Sequence, residues 1–397
     1  MVKLSDNVLR IEESATMVMT ARAAAMKRAG ADVIALAAGE PDFDTPAHIV
    51  AAAKNALDAG FTRYTPASGI PELRAAWAEA VGKERGVSYE PNQLIVTSGG
   101  KQAVFNLIYA LAGQGDEVIV PAPYWVSYPQ QVLAVGATPV ILQTRPEDRF
   151  KLRPEALRRA ITDRTRLLIL NSPTNPTGSV YSREELAGLA EVLVERQVPV
   201  LSDEVYDALV YGVPFASIAS ARAEMYELAF VVAAVSKTYA MTGWRIGCAA
   251  GNAQVIAAAG RIQSQSTSGA NSIAQKAALA ALTGDQGTVE TMRQEFDRRR
   301  QYMMRRLSAL PGVTCPEPQG AFYTFPSVST YYHLRYKGET IEGSMDLCRL
   351  LLEHEKLALV PGIAFGDDAC VRFSYAASML QITEAMDRFE RFLDQID

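Results

Sequence analysis

The 397 residues of the chain are 49% hydrophobic and 21% charged, which is typical of a globular protein and excludes a mostly disordered chain. The length predicts two domains, or one large α/β domain with a smaller one. The formal net charge is −5, which excludes a general electrostatic attraction to nucleic acid or to an anionic membrane.

Short apolar runs alternate with helical patterns through the middle of the chain. The helix predicted over Ser182–Glu195 begins with Ser182 as N-cap and Glu185 completing a capping box. The runs that predict strands are Leu94–Thr97, Glu117–Val120, Arg166–Leu170, Pro199–Leu201 and Phe230–Val235. This alternation predicts an α/β fold with a mainly parallel central sheet covered by helices. Ligands of such sheets bind beyond the carboxyl ends of the strands.

The region from about residue 290 predicts a second, smaller α/β unit. A charged helical stretch is followed by strand-like GAFYTF and VRFSYA, and a last helix is expected from about Thr383. A helical pattern around residues 14–29 is expected to join this unit. We therefore predict an N-terminal segment at 1–45, a large domain at 46–290 and a small domain at 291–397. The polar, aromatic stretch 331–344 is expected to form a loop near the substrate entrance.

Residues that often bind metals are few and scattered. The four cysteines form no CxxC pair and the three histidines form no HExxH motif, so we predict no metal site and no disulfide framework. The N-terminal residues show no signal-peptide pattern, and the most apolar run, 228–235, is far too short for a membrane helix. A cytoplasmic location without a membrane partner is expected.

Polar strings follow several of the predicted strands, which places them on one rim of the sheet. Lys237 follows a wholly apolar strand. A lysine without water around it has a lowered pKa and attacks carbonyl groups, although most lysines are surface charges. Arg245 offers a planar fork suited to phosphate. Asp203 would need a cationic or donor partner if buried, or it could be a helix N-cap.

Four further features have both a functional and an ordinary interpretation. Ser98-Gly99-Gly100 could hold an anion at a helix N-terminus or form a simple turn. The string around Asn175 could be a stiff loop. Trp125 could stack on a flat ring or fill the core. Arg372 lies on a predicted strand and should be paired there, which makes a carboxylate ligand a real alternative.

The order of SGGK, PYW, NPTG, SDEVY, SKTYAMTGWRIG and VRFSYA resembles the class I aminotransferases that use pyridoxal 5′-phosphate (PLP). The similarity runs from AAGEPDFDTP at 38–46 to the C-terminal helix and is strongest to the bacterial aspartate/prephenate aminotransferase subgroup. It implies the PLP-dependent transferase fold type I, with a large PLP-binding domain and a smaller α/β domain formed from the two chain ends.

The resemblance implies a role for each of these residues. Lys237 would bind PLP covalently and move a proton, while Asp203 would pair with the ring nitrogen. Tyr206, which completes the catalytic set, and Asn175 would contact the ring oxygen, and Trp125 would stack on the ring. Gly99, Gly100 and Arg245 would hold the phosphate of the cofactor. Lys101 and Ser236 would also contact the cofactor. One phosphate-binding serine of many relatives is Ala234 here, which leaves open whether Ser236 replaces it.

For the substrate, the resemblance implies a pocket for two carboxylates. Arg372 would hold the α-carboxylate with help from Gly39, Trp125 and Asn175. Lys101 and Thr16 would hold a distal carboxylate. Tyr64 would reach the cofactor phosphate of the other subunit, so a homodimer with shared active sites is expected. The leading hypothesis is transamination between aspartate and 2-oxoglutarate. The alternatives are an aromatic or prephenate aminotransferase and a PLP-dependent lyase.

Overall fold

The computed structural model describes residues 2–13 and 15–397, and the side chains of residues 15–17 and 20 lie outside that description. The helices over this part of the chain are α1 Asp6–Leu9, α2 Ala15–Arg28, α3 Ala47–Asp58, α4 Pro71–Arg85, α5 Gly100–Leu111, α6 Ser127–Ala134, α7 Pro154–Ala160, α8 Arg183–Arg196, α9 Met225–Leu228, α10 Val235–Thr238, α11 Ala253–Ser266, α12 Ser272–Thr283, α13 Gly287–Ser308, α14 Ser344–Glu355 and α15 Met379–Leu393. The strands are β1 Ile34–Ala35, β2 Leu94–Thr97, β3 Glu117–Ala122, β4 Thr138–Gln143, β5 Thr165–Asn171, β6 Val200–Asp203, β7 Ala229–Ala234, β8 Gly247–Ala250, β9 Tyr323–Thr324, β10 Arg335–Tyr336, β11 Glu339–Thr340, β12 Leu357–Ala358, β13 Val360–Pro361 and β14 Val371–Ser374.

A seven-stranded sheet with the order β2-β8-β7-β6-β5-β3-β4 forms the centre of the molecule. Its strands are parallel except β8, which is antiparallel to both of its neighbours. Strands β2, β6 and β8 are buried at every residue, as expected of a sheet covered by helices on both faces. The sheet therefore brings the ends of β5, β6 and β7 to one edge.

The sequence patterns predict these elements closely. The predicted strand Leu94–Thr97 is β2 without change, and the other predicted strands of the sheet differ from the structure by one or two residues at their ends. Helix α8 begins after Ser182, whose side chain accepts from the backbone N–H of Glu185 in the predicted capping box. The last helix begins at Met379, earlier than expected, because Ser378 caps it.

A second hydrophobic core joins the two ends of the chain. It combines Met19 to Leu36 with residues between 292 and 393, and it also takes in Tyr206, Leu209 and Tyr211 from the loop after β6. Next to it, β13, β14 and β9 form a small antiparallel sheet. The domain boundaries predicted from the sequence stay a prediction, since a shared core does not by itself define a boundary.

The stretch 331–344 is not simply a loop, and that expectation was wrong, whereas its place relative to the substrate entrance stays a prediction. It contains the hairpin β10–β11. Backbone hydrogen bonds in both directions join Arg335 to Asp397, and Tyr336 is buried against Phe392 with ring centroids 4.3 Å apart. Of the aromatic residues in this stretch, Tyr336 therefore packs against the last helix, whereas the hydroxyls of Tyr331 and Tyr332 donate to the backbone carbonyls of Pro311 and Asp368.

Among the described residues, no helix combines the length and the apolar character that crossing a membrane requires. The same part of the chain contains no cluster of three or more acidic, histidine or cysteine side chains that could hold a metal ion. Its cysteines are all free thiols.

Candidate active site

A cavity of about 300 Å³ opens where β5, β6 and β7 end and where the small antiparallel sheet faces them. It is lined by Gly39, Gly100, Lys101, Trp125, Val126, Ser127, Tyr128, Asn171, Asn175, Asp203, Val205, Tyr206, Ala234, Ser236, Lys237, Arg245, Tyr323 and Arg372. Most residues singled out in the sequence therefore lie around one space. The order of the strands explains this, because the carboxyl ends of neighbouring parallel strands meet at one edge.

Lys237 lies in the short helix α10, directly after β7. Its Nζ donates to the backbone carbonyl of Gly39 at 2.6 Å. Burial lowers the pKa of Lys237 to about 8, and Arg245 and Arg372 act in the same direction. A larger fraction of this amine is neutral at pH 7 than of an ordinary lysine, and the neutral amine is the nucleophile.

Asp203 is the last residue of β6 and is fully buried, so it is not the helix N-cap that the ordinary interpretation required. The hydroxyl of Tyr128 donates to its Oδ2 at 2.7 Å. Burial raises the pKa of Asp203 to about 6, although this hydrogen bond opposes the rise. The hydroxyl of Tyr206, which follows in the same loop, lies 2.9 Å from the hydroxyl of Tyr323.

The turn before α5 brings a helix N-terminus and an arginine together, an arrangement that can hold an anion. Gly99 has φ +84° as the N-cap of this helix, and a Cβ at this position would lie 2.7 Å from Nη2 of Arg245. The guanidinium of Arg245 thus approaches the helix N-terminus as closely as a glycine allows. Ser236 and Ala234 line the same cavity.

Arg372 lies on β14, and its residue is 2% exposed. It donates to Oδ1 of Asn175 at 2.9 Å and to the carbonyl of Ala37 at 2.7 Å. Its Cζ lies 4.5 Å from the ring centroid of Tyr323 and 4.9 Å from that of Phe365. Its Nε is buried and has no hydrogen-bond partner among the described residues. A buried donor of this kind is costly unless a ligand satisfies it.

Lys101 and Trp125 lie at the mouth of the cavity. The Nζ of Lys101 lies 4.9 Å from the ring centroid of Trp125. Burial, together with the nearby charge of Arg245, lowers the pKa of Lys101. No salt bridge engages Lys101 within the described part of the chain, so its charge can face a ligand.

Two predicted site residues are not part of this geometry. Tyr64 is 97% exposed and lines a separate depression with residues 267–272. The side chain of Thr16 lies outside the described residues. Their predicted roles, at a subunit boundary and at a distal carboxylate, stay predictions.

Six of the residues that line the cavity escaped the sequence analysis, and three of them are an asparagine and two tyrosines. Asn171 ends β5 and donates to the backbone carbonyl of Asp203 at 2.8 Å. Tyr323 joins the site from a strand of the small sheet. Tyr128 stands three residues after Trp125 in the string PYWVSYP, but α6 begins only at Ser127, so no helical periodicity links the two residues.

Comparison with known proteins agrees with this geometry. The model of the family "Aminotransferase class I and II" matches residues 31–389. The chain belongs to this family.

Similar proteins cover the whole chain. An aspartate/prephenate aminotransferase of Cereibacter sphaeroides is 47% identical over 99% of this chain and 99% of its own. The crystal structure of an aspartate aminotransferase from Rhizobium meliloti matches with a TM-score of 0.96 and 40% identity over 100% of both chains. That of an aspartate aminotransferase from Thermus thermophilus with maleate matches with a TM-score of 0.93 and 43% identity, over 99% of this chain and 100% of that one.

The fold type I architecture predicted from the sequence is therefore confirmed, and the protein is an aminotransferase acting on an amino acid and a 2-oxo acid. The individual roles of the site residues stay predictions.

Proposed function

We propose that the cavity binds PLP and that the protein transfers the amino group of aspartate to 2-oxoglutarate in two half-reactions. Three observations support PLP. The amine of Lys237 has a lowered pKa, the Gly99 turn and Arg245 together can hold an anion, and a buried acid, Asp203, ends the neighbouring strand. When bound, PLP would supply an electron sink for the bonds around the amino-acid Cα.

Each residue of the cavity would then have its own role. Lys237 would hold the cofactor and carry the proton that leaves the amino-acid Cα. Asp203 would bind the ring nitrogen, while Tyr206 and Asn175 would hold the ring oxygen. Trp125 would cover one ring face and exclude water. The phosphate would bind Gly99, Gly100, Ser236 and Arg245.

The observation that carries the substrate proposal is that two of the cations lining the cavity, Arg372 and Lys101, are not assigned to the cofactor ring or its covalent attachment. Arg372 presents a buried, unpartnered Nε, which suits the α-carboxylate that every amino acid has. Lys101 adds a second positive charge at the mouth, which favours a substrate with a second carboxylate. Relatives named for aspartate, and one structure with the dicarboxylate maleate, support the same assignment.

Prephenate is the second candidate. It also carries two carboxylates, so Arg372 and Lys101 would serve it equally well, and several relatives are named for both substrates. A PLP-dependent lyase has no specific observation in its favour. We further propose that the active unit is a homodimer, with Tyr64 reaching the partner's cofactor. Its exposed fraction of 97% in the single chain leaves it free to do so. A cytoplasmic location is also part of this proposal.

A half-reaction panel tests the function. Protein loaded with PLP is mixed separately with aspartate, glutamate, phenylalanine and tyrosine, and conversion of the cofactor to its amino form is followed by absorbance. The aminated protein is then mixed with oxaloacetate or prephenate. Fast conversion with the dicarboxylic amino acids supports the proposal, and fast return with prephenate favours the second candidate. Conversion with aromatic amino acids alone would contradict it. Lys237→Ala should show no conversion.

Lys101→Ser tests which residue selects the second carboxylate. We expect it to slow the reaction with aspartate about tenfold relative to phenylalanine, because one charge-assisted contact is lost. Lys54→Ser on α3 is the matched control, since Lys54 is exposed and does not line the cavity. Equal losses with both substrates would show that Lys101 is not the selector.

A further inference from the structure

Tyr128 is a buried residue of α6 whose hydroxyl contacts the carboxylate of Asp203. It lies 2.7 Å from Oδ2 of Asp203, and the residue is 2% exposed. The other carboxylate oxygen of Asp203, Oδ1, accepts a longer hydrogen bond of 3.4 Å from the backbone N–H of Val205. The Tyr128 hydroxyl is therefore the stronger of the two donors to this carboxylate.

The direction of this hydrogen bond follows from the chemistry of the two groups. An ionised carboxylate can only accept. Burial and the neighbouring Asp203 raise the pKa of Tyr128 well above its ordinary value, so the phenol keeps its proton. Tyr128 therefore donates whenever Asp203 is charged, and this contact favours the charged form of the acid.

The other ionisable groups around Asp203 act less directly. Glu204, its neighbour in the chain, raises its pKa, and Lys237 across the cavity lowers it. Tyr206 faces it from the loop after β6 and is itself kept protonated by burial. Among these side chains, Tyr128 makes the hydrogen bond that lowers the pKa of Asp203.

Tyr128 also contacts the aromatic residue at the mouth of the site. Its ring meets that of Trp125 edge to face, with centroids 5.3 Å apart. One side chain thus touches both the buried acid and the ring expected to cover the cofactor. This arrangement limits how far either can move independently of the other.

We propose that Tyr128 is a positioning residue that keeps the Asp203 carboxylate charged and directed into the cavity. In this place the carboxylate can bind the protonated ring nitrogen of PLP. The role in cofactor binding rests on the proposed function, whereas the link between Tyr128 and Asp203 does not.

Tyr128→Phe removes the hydroxyl and keeps the ring. We expect the PLP-free protein to bind PLP about tenfold more weakly at neutral pH, and the acid limb of kcat/KM to move up by about one pH unit, as the loss of one hydrogen bond to a charged group implies. The matched control is Tyr181→Phe, which removes another buried hydroxyl, one that accepts from the backbone of Leu152 at 2.7 Å. It should change neither quantity.

A double-mutant cycle separates positioning from packing. In the Asp203→Asn background no carboxylate charge is left to stabilise, so Tyr128→Phe should have little further effect on PLP affinity. The same tenfold loss in both backgrounds would overturn the proposal, and so would an unmoved acid limb.

The pH dependence of the unfolding free energy, measured without PLP, keeps the test independent of the proposed function. The pKa of Asp203 is raised from 3.8 to about 6 on folding, so this group lowers stability as pH rises from about 4 to about 6. Tyr128→Phe should extend that fall above pH 6, and its stability difference from the unmutated protein should grow there. A difference that stays constant with pH, as expected for Tyr181→Phe, would show that Tyr128 only fills space.

Discussion

Two buried arginines lie around the loop after β6, and their charges are met in different ways. Arg85 and Arg372 are each 2% exposed. Arg85 contacts three carboxylates, those of Glu204 at 2.5 Å, Asp207 at 2.6 Å and Glu84 at 2.9 Å. Within the described residues, Arg372 has no carboxylate within 4.0 Å and uses a side-chain amide and a backbone carbonyl instead.

The surroundings shift the two guanidinium groups in opposite directions. Burial lowers the pKa of Arg85, but its carboxylates outweigh burial and raise it. Burial lowers the pKa of Arg372, and only tyrosines oppose it. A buried charge with its partners built in serves the fold, whereas a buried charge without them is costly unless a ligand brings the opposite charge. The difference predicts a structural role for Arg85 and supports the proposal that Arg372 binds the substrate.

The largest expected effect is on stability and comes from Arg85→Met. Glu204 and Asp207 would keep their place without a cation, and breaking a buried pair in this way costs about 3–5 kcal/mol. Urea unfolding of the PLP-free protein measures the loss. Arg305→Met, an exposed arginine on α13, is the control and should change stability by about 0.5 kcal/mol or less. A loss below about 1 kcal/mol for Arg85→Met would show that the contacts of Arg85 with these carboxylates contribute little to stability.

The sequence predicted the environment of Arg372 better than that of Arg85. Arg372 could be predicted because an arginine on an apolar strand needs a partner. Arg85 lies in the helical string KER, which has the composition of an exposed helix end, and its burial depends on where α4 packs. Residues at strand ends, such as Asp203, were predictable because the alternation of strands and helices fixes which edge they share.

Other parts of the site depend on contacts between distant segments. Tyr323 joins Tyr206 across 117 positions of the chain, and no local pattern indicates that pairing. The stretch 331–344 was predicted as a loop because its polar, aromatic composition suits a loop and also suits the hairpin that packs on α15. The predicted role of Tyr64 depends on a partner chain. The side chain of Thr16 is not among the residues that the structure describes.

Arg372→Met should give the next largest effect, and it falls on activity. We expect kcat/KM to fall about 100-fold for every amino acid, since the α-carboxylate loses a buried, charge-assisted partner. The unfolding free energy should change less than for Arg85→Met, because no carboxylate is left unpaired. The pair of identical Arg→Met substitutions thus compares the two environments directly. An equal loss of stability with unchanged kinetics would assign Arg372 to the structure as well.

The smallest expected effect concerns Lys237, another cation that lines the cavity. Its pKa of about 8 predicts that the PLP-free protein captures PLP faster as pH rises, because only the neutral amine attacks. The rate, followed by stopped-flow absorbance, should climb toward pH 8 and level above it.

Arg372 contributes to that low pKa through its charge, with burial as the larger cause. Arg372→Met should therefore move the midpoint of the pH profile upward, toward the ordinary lysine value, while Arg85→Met should leave it in place because Arg85 is not among the charges that shift the pKa of Lys237. Equal shifts of the midpoint in the two variants would contradict this prediction. They would show that Arg372 has no larger effect on the pKa of Lys237 than Arg85 has. A shift confined to Arg372→Met would place the two cations, Lys237 and Arg372, in one electrostatic unit that a carboxylate substrate completes.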